Sequence, residues 1–215
     1  MKKNLYNILM NYKKAKKFLQ NNISKDYEIT RALGMFDRET RDLLSKLKNN
    51  DKIKDDICDN HINEVEEIKL NLSDLNVYIK KDLYSQVKNC KNRFKIIYVL
   101  IELFDKRHIN ILLIDNKKKV VERFDTFDEF SKRKEKVMQV ILDKLNINYK
   151  FVNPKKYIFS KNRKDCGLCV PLSYLYIYLK IYYDMDLDEI IKLLSDFSDR
   201  NLFSIASWFI NYLNL

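Results

Sequence analysis

The feature that most constrains this chain is a change of character at Phe94. Beyond it come three β-branched and aromatic runs, 96–104 (Ile-Ile-Tyr-Val-Leu-Ile-Glu-Leu-Phe), 109–114 (Ile-Asn-Ile-Leu-Leu-Ile) and 119–124 (Lys-Val-Val-Glu-Arg-Phe), each bounded by polar turn residues. These are predicted strands, three neighbours in one antiparallel sheet, with a fourth at 149–152 (Tyr-Lys-Phe-Val). A helix is expected over about 127–146, announced by the capping box Thr126-x-x-Glu129, in which hydroxyl and carboxylate satisfy free first-turn amides. Three more helices follow, at about 166–183, at 187–197 (opened by Asp186 with Glu189) and at 199–213. Helices on both sides of a small sheet define an α+β fold.

The first ninety residues read differently. Leu5, Ile8, Leu9 and Tyr12, then Leu33, Phe36, Leu43, Leu44 and Leu47, then Leu75, Tyr78, Ile79 and Leu83, recur at helical spacing. Asn, Asp and Lys clusters separate these groups. The expected organisation is an N-terminal helical lobe over 1–90 and a core over 91–215, together one compact domain.

Composition excludes several classes. With 46% hydrophobic and 33% charged residues, the chain is too apolar for disorder and too interrupted for a membrane span. Two Gly and two Pro exclude collagen-like, linker-rich and Gly-loop nucleotide-binding architectures. The net charge of +11 permits non-specific nucleic-acid binding, but acidic residues are interspersed throughout and the Lys, Asn, Ile and Tyr bias is that of an AT-rich coding sequence. Four cysteines are too few for a disulfide scaffold at this length, and Asn7 and Asn11 interrupt the start before it reaches signal-peptide length. A reducing, intracellular setting is expected, and Cys90 and Trp208 read as core residues.

Only two histidines exist, so a histidine at a site is conspicuous. His108 opens the strand 109–114. If Asn116 and Lys117 are the central residues of a tight hairpin, Asp125 lies directly opposite His108, Ile109 opposite Phe124 and Leu112 opposite Val121. Opposed residues on one face bring Cβ atoms about 4.5–5.5 Å apart, near enough for a carboxylate to hold an imidazole N–H. The third candidate is Lys164-Asp165-Cys166-Gly167-Leu168-Cys169, which leads into an apolar helix. Asp165 is a credible N-cap, and Pro171 is tolerated only near a helix start. A thiol in the first turn meets the positive end of the helix dipole and unpaired amides, which favour a thiolate and can stabilise an oxyanion. Gly167 removes a side chain where a substrate backbone would approach.

The order His, acid seventeen positions on, then Asp-Cys-Gly before an apolar helix resembles the cysteine-peptidase clan of SUMO/ubiquitin-like-protein-specific and adenovirus-type processing proteases. The matching words are His108 to Asp115, Val121 to Asp125 and Asp165 to Cys169. Glu122-Arg123-Phe124-Asp125 is also similar to a phrase in related proteins of large DNA viruses. The resemblance spans about residues 94–180. It implies a papain-like arrangement with Cys166 as nucleophile, His108 as general base and Asp125 orienting the imidazole. It implies a peptidase or isopeptidase acting on a protein substrate, a ubiquitin-like conjugate or a viral precursor, in the host cytoplasm or nucleus or in a virion, with no cofactor or metal. Ile109 replaces the Trp that usually follows the His. Ser160 stands where the family has an oxyanion Gln, and Asn162 is a nearby amide that can substitute.

Alternatives use the same residues. Gly167-Leu168-Cys169 fits a Gly-x-Cys word in some viral relatives and makes Cys169 the alternative nucleophile. An acetyltransferase branch of the clan uses the same triad, passing an acetyl group to Ser, Thr or Lys. Cys166-x-x-Cys169 is also a redox spacing, and Cys58 and His61 could join it as a split zinc site. The non-enzyme reading is a basic module binding nucleic acid or a virion component.

Overall fold

The computed structural model describes residues 54–58, 68–71, 76–103, 106–127, 131–159 and 168–198, with five positions between 201 and 209. Its centre is a six-stranded mixed sheet in the order β2-β1-β3-β4-β5-β6. The strands are β1 (Ile68–Asn71), β2 (Val77–Ile79), β3 (Phe94–Leu103), β4 (Lys106–Asp115), β5 (Val120–Phe124) and β6 (Lys150–Val152). The four described helices outside 201–209 are α1 (Leu83–Lys88), α2 (Ser131–Lys144), α3 (Cys169–Tyr183) and α4 (Leu187–Ser195). β3, β4 and β5 are antiparallel neighbours, as expected, while β1 lies parallel to β3 and β6 parallel to β5.

The long apolar run of β3 follows from burial on both faces. Phe94, Ile96, Tyr98 and Leu100 point into a core shared with α3 and α4; Ile97, Val99 and Ile101 point into a second core shared with α2. The result is an α+β fold with helices on both faces. α3 is apolar around its whole circumference because it is buried on all sides from Leu172 to Ile181. Its buried polar groups find partners: Lys180 Nζ donates to Glu122 on β5 at 2.6 Å, the Tyr176 hydroxyl donates to the same carboxylate at 3.0 Å, and the Ser173 hydroxyl donates to the Cys169 carbonyl at 2.6 Å. Burial, with the Glu122 charge beside it, pushes the Tyr176 phenol well above its usual range. The Tyr176 ring stacks on Phe124 at 4.5 Å. The capping box Asp186/Glu189 opens α4 as the sequence indicates. No helix among the described residues is long and apolar enough to cross a membrane.

Several sequence expectations need correction. Residues 68–71 and 77–79 are strands of the main sheet, not part of a helical run through Leu75, Tyr78 and Ile79. The expected helices in residues 1–53 lie outside the described residues. α2 begins at Ser131 rather than near 127, and the Thr126 hydroxyl, buried, has no hydrogen-bond partner. The capping box expected there therefore lacks its hydroxyl half. At the other end α2 closes with Asn146 in the left-handed region (φ 53°), the Ile147 amide reaching Leu142 and the Asn146 amide reaching Asp143.

Cys58 and Cys90 form a disulfide rather than remaining free thiols. The segment 54–58 is laced to the start of β3 by the Cys58 amide to the Phe94 carbonyl (2.8 Å) and the Phe94 amide to the Asp56 carbonyl (2.7 Å). The cross-link sits on that scaffold. Disulfides persist where thiol reductants do not remove them, so this one does not follow from the reducing setting expected from the cysteine count. It also removes Cys58 from the split zinc site. Closing 32 residues of chain contributes about 3–4 kcal/mol through the unfolded state. Cys58→Ser/Cys90→Ser, or the wild type in strong reductant, should melt about 10 °C lower. An unchanged melting temperature would mean that the bond does not form in solution.

Candidate active site

The site is built around a hairpin whose turn is longer than the sequence reading supposed. β4 and β5 pair Ile111 with Phe124, Leu112 with Arg123 and Ile114 with Val121, so the register differs by two residues from that of a two-residue turn. Asp115 supplies the reason. Its carboxylate accepts the amides of Lys117 (3.0 Å) and Lys118 (2.9 Å), and Arg93 fixes it from β3's approach at 3.1 Å. Lys119, with φ 54°, takes the left-handed position that completes a four-residue turn. A tight two-residue turn would need positive φ at Asn116 or Lys117, and neither has it.

A shift of two preserves the face on which each side chain lies. His108 and Asp125 are therefore no longer directly opposed, yet still share a side of the sheet. The imidazole Nε2 meets Asp125 Oδ1 at 2.7 Å. This leaves Nδ1 as the ring nitrogen able to serve a thiol. The edge of the His108 ring approaches Phe127, with centroids 6.2 Å apart. The Cys169 thiol lies near enough to the imidazole to help raise its pKa. Cys169 is the first residue of α3, its helix start set by Leu168 without a side-chain cap.

Asp125 is fully buried and held by four donors. Oδ1 accepts the His108 ring and the Phe127 amide (3.0 Å); Oδ2 accepts Arg123 Nη2 and Lys134 Nζ (2.6 Å). Burial alone would raise its pKa, but Lys134, His108 and Arg123 hold the carboxyl far below the usual carboxylate range. For His108, burial alone would lower the pKa. The Asp125 charge and hydrogen bond, with the Cys169 thiol, overcome this and raise it to about 10. The protonated ring is therefore favoured near neutral pH, held on one side by the carboxylate.

Of the sequence-predicted residues, His108, Asp125 and Cys169 come together. Cys166, Asp165, Gly167, Ser160 and Asn162 lie outside the described residues, as does His61 of the zinc reading. Ile109, in the position after the His, is buried in the core beside α3. Arg123 and Lys134, which hold Asp125 Oδ2, belong to no catalytic motif in the sequence. Arg123 is two residues from Asp125 and therefore on its face, and Lys134 stands on the same helical stripe as Met138, Ile141 and Leu142. A charged residue on an otherwise buried stripe was the available signal.

No protein-family description matches the chain, and no curated protein does. Among solved structures the chain is similar to the SUMO protease Ulp1 with its catalytic cysteine oxidised to a sulfinic acid: 10% identity, 62% of this chain, 58% of that chain and a TM-score of 0.37. The same protease with that cysteine as a sulfenic acid gives 17% identity, 62% and 61% coverage and a TM-score of 0.34. The matched region spans about three fifths of the length of those protease chains.

Proposed function

We propose that the chain is a cysteine peptidase or isopeptidase: a thiolate attacks the carbonyl, the amine leaves with the proton of His108 to give an acyl-enzyme, and the now neutral His108 takes a proton from the water that hydrolyses it. The observation that carries this reading is the His108 imidazole, oriented through Nε2 by a buried, ionised Asp125 and bordered by the start of a thiol-bearing helix. The helix start supplies partial positive charge and unpaired amides where the tetrahedral oxyanion would form.

The word Asp165-Cys166-Gly167 assigns the nucleophile to Cys166. Burial agrees, because Cys169 is only 7% exposed and packs among core residues that include Leu172 and Leu175, a poor place to receive a protein substrate. The nearness of the Cys169 thiol to the His108 imidazole favours a second reading in which Cys169 is the nucleophile. The substrate is a peptide or isopeptide bond of a ubiquitin-like conjugate or a viral precursor.

Peptide and ubiquitin-like probes ending in an electrophile, followed by mapping of the modified residue, test both assignments. Labelling is expected at Cys166 and should disappear in Cys166→Ala. Persistence in that variant, with disappearance in Cys169→Ala, would transfer the nucleophile to Cys169. Failure of all such probes, with acetyl transfer from acetyl-coenzyme A instead, would replace hydrolysis by acyl transfer.

A further inference from the structure

The Asp125 environment contains more positive charge than an orienting carboxylate needs. Two buried cations share Oδ2, and each is itself anchored. Arg123 Nε donates to Asn110 Oδ1 at 2.9 Å and Nη1 to Asn153 Oδ1 at 3.2 Å; Lys134 Nζ donates to the Phe127 carbonyl at 3.1 Å. Arg123 is fully buried and Lys134 almost so. Among the described residues, one carboxylate here faces two cations in addition to His108.

Neither cation is required merely to keep Asp125 in place, since the Phe127 amide and the imidazole already fill Oδ1. What two cations add is electrostatic. They fix the carboxylate as an anion, divide its two oxygens between cation side and imidazole side, and oppose its field at the ring. We propose that Arg123 and Lys134 are positioning residues that offset the Asp125 charge at His108, so that the carboxylate orients the imidazole without fully trapping the ring's proton. This rests on the peptidase reading, in which His108 must give up and regain a proton during each cycle.

The charged and titratable groups around the ring come from several elements. Among the described residues, Asp125 after β5 and Cys169 on α3 act on the ring itself, while Arg123 on β5 and Lys134 on α2 act on Asp125. On β3 the residue paired with His108 is Ile101, with Glu102 next along the strand.

The sign of one measurement separates this role from a packing role. The chain has two histidines, so in a His61→Gln background a single imidazole titration, followed by NMR, reports His108. In Lys134→Met, Arg123 still holds Asp125, and the loss of a nearby cation should raise the proton affinity of His108 by about tenfold or more. Lys134→Arg should restore the wild-type titration. If Lys134 only supports packing, its loss frees the pair and the proton affinity falls toward that of an ordinary histidine; that result, or no movement, overturns the proposal.

Should Lys134→Met fold poorly, stability of a second pair of variants decides. Asp125→Asn leaves two buried cations without their anion, so Asp125→Asn/Lys134→Met should melt higher than Asp125→Asn alone. A double variant that melts lower overturns the charge argument. Electrophile labelling is run in parallel. Labelling that is indifferent to His108→Ala removes the peptidase reading itself, whereas labelling that depends on His108 beside an unmoved Lys134→Met titration removes only the role assigned here.

Discussion

Asp125→Ala should unfold much of the protein at moderate temperature rather than only silence it. The substitution removes the acceptor for His108, Arg123, Lys134 and the Phe127 amide at once, and leaves two buried cations facing each other. Breaking a buried ion pair from one side costs about 3–5 kcal/mol. That is a large share of the roughly 5–15 kcal/mol by which a domain is stable. The melting temperature should fall by about 10 °C or more, read by circular dichroism. A variant melting within about 2 °C of wild type would contradict the burial argument.

The same group gives a pH signature with a definite sign. The Asp125 carboxyl is held below its ordinary 3.8, so its contribution to stability is complete above that value and is lost progressively as pH falls below it. His108 is raised from 6.5 to about 10, so its contribution is complete below 6.5 and is lost as pH rises through about 10. Between these limits both contributions are at their fullest. Asp125→Ala should lose the acid-side dependence as well as the stability.

His108→Ala should behave in the opposite manner, folded but unreactive. The ring lies at the rim of the cluster with its side chain 14% exposed, and its removal leaves Asp125 paired with both cations. Thiol labelling by an electrophilic peptide near neutral pH should slow by about 10²–10⁴, the usual contribution of a positioned acid–base group. The melting temperature should fall, because the His108–Asp125 pairing is lost, but by less than in Asp125→Ala, since Asp125 keeps both cations. Equal labelling rates in His108→Ala and wild type would end the case for an imidazole-activated thiol. The contrast between the two variants is informative because residues that touch each other fail by different physics, one by stranded charge and the other by lost proton transfer.

The sheet was legible because β3, β4 and β5 are β-branched runs long enough to exclude other readings. β1 and β2 were not legible: they are only four and three residues long, and Leu75, Tyr78 and Ile79 imitate helical spacing. The pairing of His108 with Asp125 was foreseen through a turn that is not the one present. Side-chain direction in a strand has period two, so an error of two residues leaves the pair on one face, whereas an error of one would have separated them. What the sequence hid was the Asp115 carboxylate, whose grip on two backbone amides lengthens the turn. Local spacing could mark His108, Asp125 and the Cys166/Cys169 pair as candidates, but the charge balance around Asp125 depends on Lys134, which reaches it from another element. The disulfide was hidden for a similar reason, since Cys58 and Cys90 meet only through the pairing of segment 54–58 with β3.

The burial of α3 has a consequence for motion. A helix enclosed on every side, with Lys180 and Tyr176 tied to Glu122, cannot open separately from the sheet beneath it. Its amides should share the slow, global mode of hydrogen exchange rather than a local one. The stretch from Leu172 to Ile181 should therefore be among the last parts of the described chain to yield, and adaptation to a bound substrate has to come from outside it.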